Sequence, residues 1–114
     1  MLFDDTVTTA LSRALDGTSL RQRVTADNIA NVMTPGFSAR RVEFEQALSS
    51  AMRGGRPQDV RASVTTSTAA AREDGNNVVL EDETAEMMRS GLQYQALAQA
   101  VSFKHSVLRS AIRG

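Results

Sequence analysis

The chain has 114 residues, with 13 lysines and arginines balanced by 13 acidic residues. This length allows one small domain, and the zero formal charge argues against a general binder of nucleic acid or another polyanion. Aromatic residues make up 4% of the chain, so few large side chains can fill a globular core. The absence of cysteine excludes disulfide and thiol chemistry. No apolar run approaches membrane-spanning length or resembles a secretory signal.

Apolar residues at helical spacing predict a first helix over residues 5–30. Val7, Leu11 and Leu15 recur on one face of it, and we expect them to pack against other helices. Gly17 weakens the middle of this segment by about 1 kcal/mol relative to alanine. We therefore predict one helix that can bend near Gly17, and two short helices with a break there are the alternative.

A tight turn is predicted directly after this helix. The order Thr34-Pro35-Gly36-Phe37 is typical of a type II turn, in which proline presets φ at the second position and glycine supplies a positive φ at the third. Asn31 is a residue type that often closes a helix in the left-handed conformation. The turn and the helix that follows it together occupy residues 31–52.

The pattern changes twice in the middle of the chain. Residues 44–52 carry apolar side chains at helical spacing and predict a short amphipathic helix, which Gly54, Gly55 and Pro57 end. Residues 53–79 are poor in large apolar side chains and predict a flexible segment that buries little surface. The alternation of Val60, Ala62 and Val64 allows a short strand within it.

The strongest periodic signal predicts a C-terminal helix over residues 80–114. An apolar residue recurs every seven positions along it, and further apolar residues continue the same stripe. Acidic residues crowd its start and basic residues its end, which complements the helix dipole. The residues expected to pack in this stripe, with Tyr94 in a core, are Leu80, Met87, Tyr94, Leu97, Val101, Leu108 and Ile112.

The sequence predicts no catalytic, cofactor or metal site. The single histidine, His105, belongs to the last turns of the C-terminal helix, where solvent or the helix dipole explains it better than catalysis does. The run Asp74-Gly75-Asn76-Asn77 lacks the spacing of a calcium loop, since Val78 stands where a third oxygen ligand belongs. A turn in which Asp and Asn side chains bond their own backbone is the better interpretation.

Two stretches of the chain resemble the axial proteins of bacterial flagella. The turn motif resembles the signature near the N-terminus of rod, hook and hook-associated proteins, on Asn28, Asn31, Thr34, Pro35, Gly36 and Phe37. A second motif is similar to the proximal rod B-type subunits, on Asp74, Gly75, Asn76, Asn77 and Val78. The run Tyr94-Gln95-Ala96-Leu97 supports the same subunit type.

This resemblance implies a mainly α fold, in which the N- and C-terminal helices pair as a coiled-coil-like hairpin around a short middle helix and a poorly structured or small-β segment. It implies a structural subunit of the proximal rod of the basal body, which assembles by helix packing into a drive shaft around the export channel. The implied partners are other rod subunits, the membrane-embedded ring protein and the ring–rod adaptor, with neither nucleic acid nor a small-molecule substrate.

The resemblance also implies type III export to the periplasmic rod without a cleaved signal peptide. Phe3 and Val7 resemble an export element of rod and hook substrates, although they also begin the apolar face of the first helix. Two alternatives remain open: the neighbouring C-type rod subunit, and a helical export chaperone or adaptor. Because two apolar stripes bury little surface, we expect the chain to finish folding only during assembly.

Overall fold

Two long antiparallel helices form the shaft of the protein. The computed structural model describes residues 5–113. Helix α1 (Asp5–Ala30) runs without interruption through Gly17, so the alternative of two shorter helices is wrong. Helix α3 (Leu80–Arg113) returns beside it, and the shaft gives the chain its elongated form of 64 × 26 × 13 Å. Across the described residues, neither shaft helix nor the short one is long and apolar enough to cross a membrane.

The segment between the shaft helices forms a small lobe. It contains strand β1 (Arg40–Glu43), helix α2 (Glu45–Arg53), a 3-10 turn (Pro57–Asp59) and strand β2 (Ser63–Thr66). The strands pair antiparallel, with Val42 opposite Val64. Helix α2 was predicted, and β2 overlaps the stretch in which the alternation allowed a short strand. Strand β1 was not predicted, because the sequence around Arg40 carries no extended apolar alternation.

The core lies where the lobe meets the shaft. Phe44 and Val42 from the lobe pack with Ala14 and Val24 of α1, and Leu97 of α3 borders the cluster. Polar side chains are buried as well, along the shaft and in the segment before α3. The polar residues less than 9% exposed are Thr18, Thr25, Asn28, Asn76, Asn77, Glu83 and Ser90.

The predicted stripe on α3 is only partly the face that meets α1. Met87, Leu97, Val101 and Leu108 are half-buried as expected. The most deeply buried residues of α3 are polar, since Glu83 is 1% exposed and Ser90 is fully buried. A single partner helix covers only a narrow strip, and a polar residue can occupy it when its bonding groups are satisfied.

Three predicted stripe residues are exposed in the single chain. Leu80 is 45% exposed, Tyr94 40% and Ile112 75%, so Tyr94 does not lie in a core of the single chain. Leu80 begins the helix and Ile112 lies near its end, where α1 offers little cover. Val7, on α1, is 42% exposed as well.

Candidate assembly site

The turn after α1 has the geometry that its residues predict. The Phe37 backbone N–H donates to the Thr34 carbonyl at 3.2 Å, and Gly36 has a φ of 77°. Asn31 does not adopt the left-handed conformation, because among the described residues only glycines have a positive φ. Its side chain instead donates to the Asp27 carbonyl at 2.8 Å, and its own carbonyl accepts from the Thr34 N–H at 3.0 Å. The helix therefore ends in further turns rather than in a single left-handed residue.

The segment 74–78, which we call the clasp, closes over this turn. The Asn76 side-chain amide donates to the carbonyls of Asn31 and Thr34, at 2.8 Å each. The Gly36 N–H donates to the Asp74 carbonyl at 2.8 Å. Asn76 is fully buried. The two motifs that appear separately in the sequence are thus one structural element, in which the second satisfies the backbone of the first.

The clasp holds its own shape through side-chain bonds to its backbone. Asp74 Oδ1 accepts from the Asn76 N–H at 3.0 Å, and Asn76 Oδ1 accepts from the Val78 N–H at 2.7 Å. Both confirm the predicted Asx-type turn. Gly75 has a φ of 83°, and a Cβ there would lie 3.2 Å from the Gly36 Cα. Gly75 is therefore favoured both by its positive φ and by the close approach to Gly36, whereas Gly36 is favoured by its positive φ alone, because a Cβ there would meet nothing within 4 Å.

Asn77 joins the clasp to the lobe. Its Oδ1 accepts from the Ala39 N–H at 2.7 Å, just before β1. Its amide nitrogen donates to the carbonyls of Ser67 and Ala69, at 3.3 and 3.2 Å. One side chain therefore connects the chain that enters β1 with the chain that leaves β2.

A second polar junction joins α1, β1 and α3. The Asn28 side chain exchanges two hydrogen bonds with the backbone of Arg40, at 2.9 and 3.0 Å. The same amide nitrogen donates to Glu83 Oε2 at 3.1 Å. The other carboxylate oxygen of Glu83 lies 2.7 Å from Arg41 Nη1, although Glu83 is 1% exposed. The sequence had assigned Asn28 to the turn motif and had treated Glu83 only as one of the charges at the helix start.

Arg21 and Gly17 position the lobe against α1. Arg21 forms two hydrogen bonds with the Glu45 carboxylate, at 2.6 and 2.8 Å, and its guanidinium lies 5.0 Å from the centre of the Phe44 ring. A Cβ at Gly17 would lie 2.4 Å from that ring. The hydrogen bond between the two side chains lowers the pKa of Glu45 and raises that of Arg21.

Sequence reasoning did not identify these positioning residues. Gly17 was interpreted as a weak point of the helix, although its missing side chain admits Phe44. Arg72 was not singled out, yet it donates to the carbonyls of Val32 and Val78, at 2.7 and 2.6 Å. A glycine or arginine on a helix or loop carries no local signal of a tertiary partner.

At the end of the shaft far from the turn, apolar side chains lie between α1 and α3, in contrast to the buried hydrogen bonds at the turn. Leu11 of α1 and Val101 and Leu108 of α3 line a gap there of about 170 Å³, together with polar neighbours that include His105. Among the described residues, no group of three or more His, Cys, Asp or Glu side chains could hold a metal ion at this end or elsewhere. Phe3, which belongs to the possible export element, lies outside the described residues.

The side of α3 that faces away from α1 exposes several large apolar residues. The large residues exposed there or at the ends of the helix include Met88 at 67%, Leu92 at 69% and Phe103 at 71%. Exposed apolar patches of this kind are typical of surfaces that bind another protein. This surface differs from the stripe predicted from the sevenfold recurrence.

Comparison with known proteins places this geometry in a family. Residues 9–37, which include most of α1 and the turn, match the family described as Flagella basal body rod protein. The flagellar basal body rod protein FlgB of Aeromonas hydrophila is 32% identical over 89% of this chain and 88% of its own length. The chain belongs to the FlgB family of flagellar basal body rod proteins. FlgB of Bacillus subtilis (strain 168) is 28% identical over 99% of the chain and 97% of its own length.

Membership confirms the family resemblance, with the matched region including the turn, and the structure confirms the mainly helical fold predicted from it. A third relative, FlgB of Borrelia hermsii, is 33% identical over 81% of the chain and 86% of its own length. The chain is a structural subunit of the proximal rod of the flagellar basal body, and these relatives favour the B-type interpretation over the C-type alternative. The family is one of structural rod proteins.

Proposed function

We propose that the shaft packs lengthwise against neighbouring subunits, so that many parallel helix contacts transmit torque and enclose the export channel. The neighbours would be other rod subunits, the membrane-embedded ring protein and the ring–rod adaptor. The observation that supports this proposal is the exposed apolar side of α3, on which Leu92 and Phe103 are each about 70% exposed. The turn motif, the clasp and the residues of the helix stripe would serve to hold the shaft in the shape that packs.

The route to this location is part of the same proposal. The subunit would leave through the type III export apparatus without a cleaved signal peptide and join the rod in the periplasm. Phe3 and Val7 remain candidates for the export element, and they equally begin the apolar face of α1. The chaperone alternative would require the exposed side of α3 to bind an export substrate in the cytoplasm.

Leu92→Asp tests the proposal in a strain that lacks the chromosomal copy. A charge on this face would oppose burial in a packed rod, so we expect motility to fall at least tenfold while export of the subunit continues. Gln93→Asp is the matched control, because Gln93 is exposed and already polar. Swimming, secreted protein and the subunit content of purified basal bodies are measured together. Motility equal to that of the control variant, or a subunit that remains cytoplasmic, would contradict the proposal.

A further inference from the structure

Strand β2 has an outer edge whose backbone groups are unpaired. Ser67, directly after β2, donates its backbone N–H to the Ala39 carbonyl at 2.7 Å. Hydrogen-bonded pairs alternate along an antiparallel ladder, so the backbone groups of Thr65 also point to β1, whereas those of Val64 and Thr66 point away from it. The N–H and carbonyl groups of these last two residues form no hydrogen bond with another described residue.

The outer edge of β1, by contrast, is covered by α1. The Asn28 side chain bonds both backbone groups of Arg40, and Arg21 donates to the Val42 carbonyl at 2.7 Å. Arg40 and Val42 lie opposite the two outward-pointing residues of β2. The two-stranded sheet therefore has one edge that the chain itself satisfies and one that it leaves unpaired.

The residues along the outer edge of β2 do not protect it from pairing. Proteins commonly place charged residues or proline on exposed edge strands, or cover them. Residues 62–71 contain no charged residue, proline or glycine, and β2 itself is rich in β-branched residues. All four residues of β2 are exposed. Since a sheet of two strands is only marginally stable, a third strand would strengthen it.

We propose that an extended segment of a different rod protein pairs with the outer edge of β2 as a third strand. Val64 and Thr66 offer backbone N–H donors and carbonyl acceptors, which another extended backbone matches. Val64, at 44% exposed, lies on the same face of the sheet as the buried Val42. The added strand should therefore present an apolar side chain beside Val64. The proposal rests on the proposed function and specifies one contact with a neighbouring subunit.

A second copy of this chain is a poorer occupant of the outer edge. Because α1 covers β1, a second copy could offer only its own β2. Two copies that pair through the same edge use up both edges and close as a dimer, which does not continue along a shaft. A strand from a different protein leaves every copy free to accept one.

Proline tests the outer edge without removing a bond of the sheet. Thr66→Pro removes an N–H that points outward, a change that an edge strand tolerates. Thr66→Ala is the matched control, because it keeps this N–H. We expect about five times less of Thr66→Pro than of Thr66→Ala in purified basal bodies, since the proline ring lies where the added strand would bind. Equal amounts of the two variants would overturn the proposal.

A second proline variant tests which way the backbone groups point. The Thr65 N–H points to β1, so Thr65→Pro should lower the urea concentration at which the purified chain denatures. Thr66→Pro should leave that concentration close to the value for Thr66→Ala. If Thr66→Pro lowered it as much as Thr65→Pro does, the Thr66 N–H would be bonded within the chain, and the proposal would fail.

Photo-cross-linking identifies the occupant. The photoreactive residue p-benzoylphenylalanine replaces Val64 in one variant and Thr66 in another, and basal bodies that contain either variant are irradiated. Adducts from both positions should map to the same segment of one other rod protein, because a paired strand runs along both. Adducts to this chain would reveal a second copy at the edge. That result, adducts to two unrelated segments, or no adducts from either position would each overturn the proposal.

The outcomes separate this contact from the proposed function. Motile cells whose basal bodies contain as much Thr66→Pro as Thr66→Ala would overturn the third strand and leave the lengthwise packing of the shaft standing. Basal bodies that assemble and turn without the subunit would refute the proposed function itself, and the contact with it.

Discussion

The two ends of the shaft are held together by different kinds of contact. At one end, which we call the junction end, the close of α1, the clasp and the start of α3 meet through buried side-chain hydrogen bonds from Asn28, Asn76 and Asn77. At the other, the open end, Leu11 contacts α3 around Val101 and Leu108, and a gap of about 170 Å³ remains. Hydrogen bonds demand one geometry, whereas apolar contacts of this kind tolerate several.

This difference indicates where the chain is already complete and where assembly must finish it. The buried amides at the junction end each lose several partners if the two halves of the chain separate, so separation there is costly. Separation of α1 from α3 at the open end instead breaks contacts between half-buried apolar side chains. It also carries Phe103 and Ile112, each more than 70% exposed. If the chain finishes folding during assembly, we therefore expect the open end to be the part that becomes ordered then.

The largest effect should come from a change at the junction itself. Asn28→Asp removes two donated hydrogen bonds and places a second carboxylate beside the buried Glu83. We expect the free energy of unfolding to fall by about 3 kcal/mol, since a buried charge loses a partner and gains a like neighbour. Chemical denaturation of the purified chain, followed by circular dichroism, measures it.

Two further variants control this prediction. Asn28→Asp/Glu83→Gln should recover part of the loss, because it exchanges donor and acceptor across the same contact. Gln93→Glu adds the same charge at an exposed site of α3 and should change stability by less than about 0.5 kcal/mol. If Asn28→Asp lowered the free energy of unfolding no more than Gln93→Glu does, the buried hydrogen bonds of the junction end would not stabilise the chain as described.

A smaller effect is expected where the lobe meets the shaft. Gly17→Ala should destabilise the protein by about 1–3 kcal/mol, because the new methyl group would displace the Phe44 ring from its place against α1. Gly91→Ala is the matched change on α3, where the Cβ would meet only Gln22 Nε2 at 3.6 Å. It should stabilise by about 0.5–1 kcal/mol through helix propensity. Thermal melts that shift in the same direction for both variants would show that Phe44 does not pack as described.

The smallest effect concerns pH. The Arg21 hydrogen bond lowers the pKa of Glu45 in the folded state, so the unfolded chain binds the extra proton first as pH falls. The contribution of Glu45 is present above its ordinary pKa of about 4.3 and is lost as pH falls through the lower folded value. Glu45→Gln should therefore be less stable than the parent at pH 7, with the difference shrinking below about pH 4. Because the side chain is largely exposed, this difference will be modest.

An arginine variant separates this pairing from general acid effects. In an Arg21→Gln background, Glu45→Gln should change the pH dependence of stability much less than in the parent, because only the backbone hydrogen bonds of Glu45 and Phe44 then still lower the pKa of the carboxyl. Urea denaturation at a series of pH values measures both. If Glu45→Gln altered the pH dependence as much in that background as in the parent, Arg21 would not be the main cause of the lowered pKa of Glu45.

The residues themselves determined the helices, the turn and the clasp, since these depend on short-range chemistry. The apolar period of α1 and α3 predicted both helices to within a residue of their described ends. Pro35 and Gly36 determined the turn after α1, and Asp74 and Asn76 determined the local fold of the clasp, because each acts on backbone only a few positions away.

Tertiary structure alone decided which residues meet across the chain. It brought the clasp onto the turn, and it placed Glu83 beside Asn28, which is 55 positions away in the sequence. It also packed the Phe44 ring against Gly17, where a side chain would not fit. It also turned Tyr94, Leu92 and Phe103 outward, where the sevenfold recurrence had predicted a core for the first. A periodic pattern shows that a face is apolar, but which face is covered depends on the partner that lies against it.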